Sequence, residues 1–246
     1  MIIGTDDPIA VAAVDAIHAG DVAALQRLLD QHPELATAAL GGEDGEDGGG
    51  AVMTRTLLHV VTDWPGHFPN GAEIVATLVG AGADVNARFT GPHTETPLHW
   101  AASSDDVAVL DALLDAGADI EARGAVIGGG TPMADATAFG QWKAARRLLA
   151  RGARTTMWES AALGLLDRVE GYFQQDPPPS TDDATAALWG ACHGGHRDVA
   201  ECLLNRGADV NWVGWDDLTP LDVARRSNAH ELIAWLLSVG AEPRGS

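Results

Sequence analysis

A glycine-anchored unit recurs along this chain, and the recurrence limits the fold more than any other feature. The triplet Gly-Ala-Asp, or a near variant, falls at Gly82, Gly117, Gly152, Gly207 and Gly240. The spacing is nearly regular, except that the gap from Gly152 to Gly207 is wide enough to hold an extra, shortened unit. Each triplet lies just after an apolar pair such as Leu113-Leu114 or Leu203-Leu204. Ahead of these pairs stands a second marker: Thr96-Pro97-Leu98-His99, Thr131-Pro132-Met133 and Thr219-Pro220-Leu221. The pattern predicts a repeated module made of a Thr-Pro start, a short helix, a turn, a second helix and a glycine stop.

Each marker has a physical reason. The side chain of Thr96 can cap the free amides of a first turn, and Pro97 fits the first helical position, where its missing N–H costs nothing. Gly117 follows the second helix at a position that turns left-handed, where a Cβ would cost about 1–2 kcal/mol. Val109, Leu110, Leu113 and Leu114 recur at helical spacing, so one stripe of the second helix is apolar and needs a neighbouring module to cover it.

With TPLHWAA at 96–102 and GADVNAR at 82–88, the chain resembles a bacterial-type ankyrin repeat domain protein. The resemblance covers nearly the whole length and implies an all-α solenoid of antiparallel helix pairs with projecting finger loops. Its concave face would be built from fingers and first helices. Seven modules are expected in a single solenoid over 1–246: a cap at 8–36, then 54–88, 95–123, 130–156, a short degenerate module at 157–181, 182–213 and 217–246. The resemblance also assigns His59 and His99, at the TPLH position, a structural hydrogen bond between neighbouring modules.

Departures from the pattern carry the functional information, because a repeat protein keeps some positions for stability and varies others for binding. The step from the TPLH histidine to the second helix runs from His99 to Leu110 in one module and, at greater length, from His59 to Val75 in the module before it. TDWPGHFPNG at 62–71 therefore contains an insertion. The fingers from Gly82 to Thr96 and from Gly117 to Thr131 are both longer than the one from Gly207 to Thr219. The insertions bring Asp63, Trp64, His67 and Phe68 on one side and Phe89, His93 and Glu95 on the other to neighbouring modules. Two readings stay open. In one, the proline-stiffened segments close over the concave face and form a pocket. In the other, Trp64 and Phe68 fold back and seal the end of the core.

Eight of the 13 aromatic residues are Trp. Trp100, Trp158 and Trp189 fall on first helices, and Trp212 and Trp215 flank a finger turn; an indole offers a large apolar area with one donor, which suits ligand and interface sites. Asp63, His67, His93 and Glu95 are acids and bases of the kinds proton transfer uses. No nucleophile elbow, phosphate-cradling loop or recognised metal spacing accompanies them, so no catalytic residue, reaction, cofactor or metal is assigned.

A formal charge of −20 repels a phosphate backbone and excludes nucleic acid as the partner. No apolar run approaches the roughly 20 residues needed to span a bilayer, and the start of the chain lacks a basic leader, so no membrane is expected. Two thiols, Cys192 and Cys202, form no framework and point to the cytoplasm. The acidic glycine-rich stretch 41–50 is expected to be a mobile loop, and the prolines at 177–179 to end the fifth module. Two functions follow. One is a scaffold that binds a protein partner, a basic one given the charge, on its concave face. The other is a small-molecule binder or unusual enzyme with an acid/base pocket between 63–71 and 89–95.

Overall fold

A computed structural model describes residues 1–42 and 53–245, so most of the acidic glycine-rich stretch lies outside the described residues. The described residues form two compact units, Met1–Ala153 and Arg154–Ser246. In the first, helices pair as α1 (Pro8–Ala19) with α2 (Val22–Gln31), α3 (Leu57–Thr62) with α4 (Gly71–Gly80), α5 (Pro97–Ser103) with α6 (Val107–Asp115) and α7 (Pro132–Ala138) with α8 (Trp142–Ala150). In the second, the pairs are α9 (Met157–Ala162) with α10 (Leu166–Tyr172), α11 (Thr181–Gly194) with α12 (Arg197–Leu204) and α13 (Pro220–Arg226) with α14 (His230–Ser238). These seven pairs are the seven expected modules.

The markers act as their chemistry requires. Pro97, Pro132 and Pro220 all occupy the start of their helices. The His99 ring accepts the Thr96 amide proton at 3.1 Å, and the Glu159 carboxylate does the same for the Thr156 amide at 2.6 Å. At the far end of α4, Gly82 has φ +100°, and the Ala83 amide returns to the Leu78 carbonyl at 3.0 Å, closing the helix in a left-handed stop. The turn between helices has its own left-handed residue: Gly20, Asp105, Gly140, Gly164, Gly195 or Asn228.

Within each unit, first helices pack on first helices and second on second: α1, α3, α5 and α7 form one layer of the first unit, and α9, α11 and α13 one layer of the second. Leu98, Leu110, Leu113, Met133 and Leu148 are fully buried between the layers of the first unit, as are Leu188, Cys192, Leu203, Leu221 and Leu236 in the second. The periodicity does not foresee a small sheet at the edge of the first unit. There β1 (Ile2–Ile3) runs parallel to β2 (Ala39–Gly41), which runs antiparallel to β3 (Thr54–Thr56). Thr54 also exchanges backbone hydrogen bonds with Thr90, which ties the sheet to the 89–95 finger.

Candidate functional site

The chemistry of the first unit concentrates at the root of that finger. His59 and His99 fix it: the His59 Nε2 lies 3.2 Å from the Glu95 carbonyl oxygen, and the His99 Nε2 lies 3.4 Å from that of Gly130. Burial pulls both imidazoles down to about 4, with the carbonyl partners acting the other way, so at neutral pH the rings are uncharged struts. This is the role the family resemblance assigns to them.

With its backbone held by His59, the residue before Thr96 turns its carboxyl inward. Glu95 is buried; its Oε2 accepts the Trp100 indole N–H at 2.7 Å, and its Oε1 accepts the Val126 amide at 2.8 Å. The His93 Nδ1 lies 3.0 Å from Oε2 without the angle of a hydrogen bond. Phe89 stacks on His93 with ring centroids 4.6 Å apart and meets Trp100 at 5.5 Å. Four of the residues expected at a site, Phe89, His93, Glu95 and Trp100, are thus brought together.

The sequence pattern does not single out the fifth member. Asp135, on α7, is 0 % exposed, and neither carboxyl oxygen meets a partner at hydrogen-bond geometry. Burial, and then the facing Glu95 carboxyl, push Asp135 up to about 8, with the Ile127 amide drawing it partly back. Its signal lies in Pro132-Met133-Ala134-Asp135-Ala136-Thr137: a carboxylate at the inward helical position that Trp100 fills one module earlier. Two buried carboxyls, an imidazole and an indole can hold and pass a proton or accept a cationic group.

The 62–71 insertion lies elsewhere, at the turns between helices. The His67 amide donates to Asp106 Oδ2 at 2.8 Å, and its Nε2 lies 2.9 Å from the Ser104 carbonyl oxygen. Phe68 stacks on His18 at 4.5 Å, and the Asn70 side chain donates to the Gly20 carbonyl at 2.9 Å. The segment therefore braces the turn of the module before it and the turn of the module after it. His67, Phe68, Glu73 and Asp106 line a shallow groove of about 440 Å³ on that side. Trp64 is 81 % exposed, so its indole does not seal the core. Asp63 pairs with Arg55. Among the described residues, the groups that His67 touches are not those around His93.

In the second unit the corresponding surface is aromatic. Trp158 and Trp189 stack at 6.4 Å, and Trp215 meets Trp158, Trp189 and Trp212 edge-on at 5.8, 5.1 and 5.4 Å. Trp189 is buried and donates to the Leu218 carbonyl at 2.9 Å, whereas Trp215 is 49 % exposed. Beside them, Trp158, Tyr172, Gln175, Asp183 and the prolines 177–179 line a groove of about 470 Å³. Trp189, Trp212 and Trp215 are expected site residues; Trp158 joins them from its first helix.

These features define a repeat scaffold of paired helices and fingers, and comparison with known proteins agrees. The family model for ankyrin repeats in three copies matches residues 67–157 and 158–245, and the chain belongs to the ankyrin-repeat family. It is 32% identical over 185 residues to an ankyrin repeat and KH domain-containing protein of Caenorhabditis briggsae, covering 72% of this chain and 7% of that one. Over 182 residues it is 28% identical to the ankyrin repeat and KH domain-containing protein mask-1 of Caenorhabditis elegans, covering 70% and 7%. The crystal structure of the human ASB11 ankyrin repeat domain aligns with a TM-score of 0.53 at 19% identity, over 94% of this chain and 98% of that one. The chain therefore spans only a small part of its curated relatives. Ankyrin repeats are generally scaffolds for protein–protein interaction. Among the described residues no helix is long and apolar enough to cross a membrane.

Proposed function

We propose that the chain is a binding scaffold whose second unit presents an aromatic surface to a basic segment of a protein partner. The observation that supports this reading is the half-exposed Trp215, backed by Trp158, Trp189 and Trp212. Rigid indoles offer interface area at little entropic cost, and Trp is among the residues most enriched at energetic hot spots. First helices and fingers carry all four, as recognition through the concave face requires. Basic partners follow from the charge of −20 carried by the whole chain; Asp216 and Asp217, which follow Trp215 in sequence, are themselves paired with Arg226 and Arg244. Such a field speeds encounter with cationic segments and opposes nucleic acid. A reducing compartment such as the cytoplasm suits the free thiols of Cys192 and Cys202.

Panning a random peptide library against the full chain and against Trp215→Ala tests this. Lys- and Arg-rich peptides should enrich on the parent chain and bind the variant about 30-fold more weakly, the loss of a hot-spot tryptophan worth about 2 kcal/mol. Enrichment of neutral or acidic peptides, or equal binding to the two proteins, would overturn the reading.

A further inference from the structure

The first unit holds a second feature that the aromatic surface does not use. We propose that Glu95 and Asp135 form a binding site for an organic cation, a protonated amine or a guanidinium, reached from beneath the 124–130 finger.

Three observations carry it. First, Asp135 is fully buried and neither oxygen has a partner at hydrogen-bond geometry, the Glu95 carboxyl and the Ile127 amide being the groups that face it, and the His93 Nδ1, 3.0 Å from Glu95 Oε2, is a buried atom without a hydrogen bond. Buried polar atoms almost always find partners, and an unmet one marks a place where a donor belongs. Second, the nearby cations of the chain are engaged elsewhere. Arg55 is held by Asp63, and Arg88 donates to the carbonyls of Thr94 and Arg123. Third, the finger covers the pair with neutral donors: the Val126 amide on Glu95 at 2.8 Å and the Ile127 amide toward Asp135. Val126 and Ile127 are themselves exposed, at 54 % and 41 %, and Gly128, Gly129 and Gly130 follow them. A Cβ on Gly128 or Gly129 would meet nothing, so the tip stands clear of neighbouring side chains, its own turns closed by backbone hydrogen bonds such as Gly129 N–H to the Ala125 carbonyl at 3.0 Å.

The lining selects the kind of cation. Phe89 and Trp100 supply aromatic surface near Glu95, and carboxyl oxygens on two elements supply acceptors, a combination suited to ammonium or guanidinium groups. Among the described residues no three His, Cys, Asp or Glu side chains converge as metal ligands, which disfavours a hard divalent ion that needs many oxygens. At rest a proton on Asp135 relieves the pair; a cation that replaces it leaves the local charge unchanged while supplying several donors. The other ionisable groups around the pair are His59, His93 and His99, with Arg55 and Arg88 further out.

The indole N–H of Trp100 reports occupancy directly, because it is bonded to Glu95. In nitrogen–proton correlation spectra of the full chain, butylammonium and methylguanidinium chloride should move the Trp100 indole signal saturably, half-complete below roughly 10 mM. Matched 1-butanol and sodium chloride should leave it in place. Asp135→Asn, isosteric and able to bond Glu95, should weaken the response at least tenfold. A lysine-containing peptide and its norleucine twin separate the sources. Saturation by the lysine peptide at a tenth of the butylammonium concentration or less means that the site reads a partner's side chain. Saturation by the free amine alone means that it reads a small molecule. Cation titrations that follow the sodium chloride trace would overturn the proposal, as would an Asp135→Asn chain that responds like the parent. The parent titration needs no variant, so misfolding of Asp135→Asn leaves it decisive. Trp215→Ala should respond like the parent, which keeps this site separable from the aromatic surface of the second unit.

Discussion

Both units present first helices and fingers, yet one lines them with ionisable groups and the other with indoles. In the first, Glu95, Asp135 and His93 lie under a finger beside Trp100; in the second, Trp158 and Trp189 stack and Trp215 reaches solvent. The contrast shows what the scaffold leaves free. Helix starts, stops and leucine stripes are fixed by capping and packing, so the residues facing the fingers can take opposite chemistry without disturbing the repeat. A buried acid pair depends on neighbours for every donor, and it answers to pH and to cations. A stacked indole cluster has one donor per ring to satisfy and gains from area, so it answers to shape.

The largest effect should come from removing the centre of the aromatic cluster. Trp189→Ala is expected to destabilise the second unit by about 3–5 kcal/mol, read by denaturant unfolding followed with hydrogen exchange on peptides from each unit. A loss spread equally over both units would break the comparison. On the other side, Trp100→Phe keeps an aromatic ring of smaller area and deletes the donor to Glu95, which should cost the first unit about 1–3 kcal/mol. A cost near zero would mean that the indole N–H bond adds nothing there.

Proton linkage gives the next test. The folded pKa of Asp135 is raised from 3.8 to about 8, so the folded state holds the extra proton and stability falls as pH rises across that window. His59 and His99 are lowered from 6.5 to about 4, so the folded state holds fewer protons and stability is lost as pH falls from 6.5 toward 4. Each group changes stability by at most about 1.4 kcal/mol per pH unit, and the two histidines together outweigh the single acid. The first unit should therefore be most stable near the ordinary histidine pKa and weaken on either side. Asp135→Asn should remove the alkaline decline and leave the acid one, seen in exchange rates of first-unit peptides from pH 4 to 9. A decline unchanged in the variant would assign it to another group.

The smallest effect sharpens the contrast. Trp215→Ala should change second-unit stability by less than about 1 kcal/mol, because half of the ring already faces water, while weakening peptide binding about 30-fold. Thermal melts beside binding curves would separate the two.

The repeat itself was legible because its punctuation is local. Thr-Pro starts and glycine stops report the conformation of the residue that carries them, and five of the helix pairs follow from them, with the cap at 8–36 and the short module at 157–181 read from the spacing that the marked ones leave. The finger residues Phe89, His93 and Glu95 stood out for a similar reason, as residues the repeat does not require. Asp135 escaped because its meaning depends on Glu95, a partner in the preceding module, and a lone carboxylate on a short helix reads as solvated until its surroundings are known. The role of TDWPGHFPNG was hidden likewise. Its neighbours, Gly20 and Ser104, belong to other modules, and only their proximity shows the segment to be a brace. A strand as short as Ile2–Ile3, paired with Ala39 and Leu40, leaves no periodicity to detect.

The strut at His59 reaches beyond its own module. Because the imidazole grips the main chain of Glu95, the aim of that carboxyl is indexed to the preceding helix pair rather than to its own. A change in pitch between these two modules would re-aim the acid away from Asp135, so a chimera that transplants the cluster must carry the donor histidine's module with it.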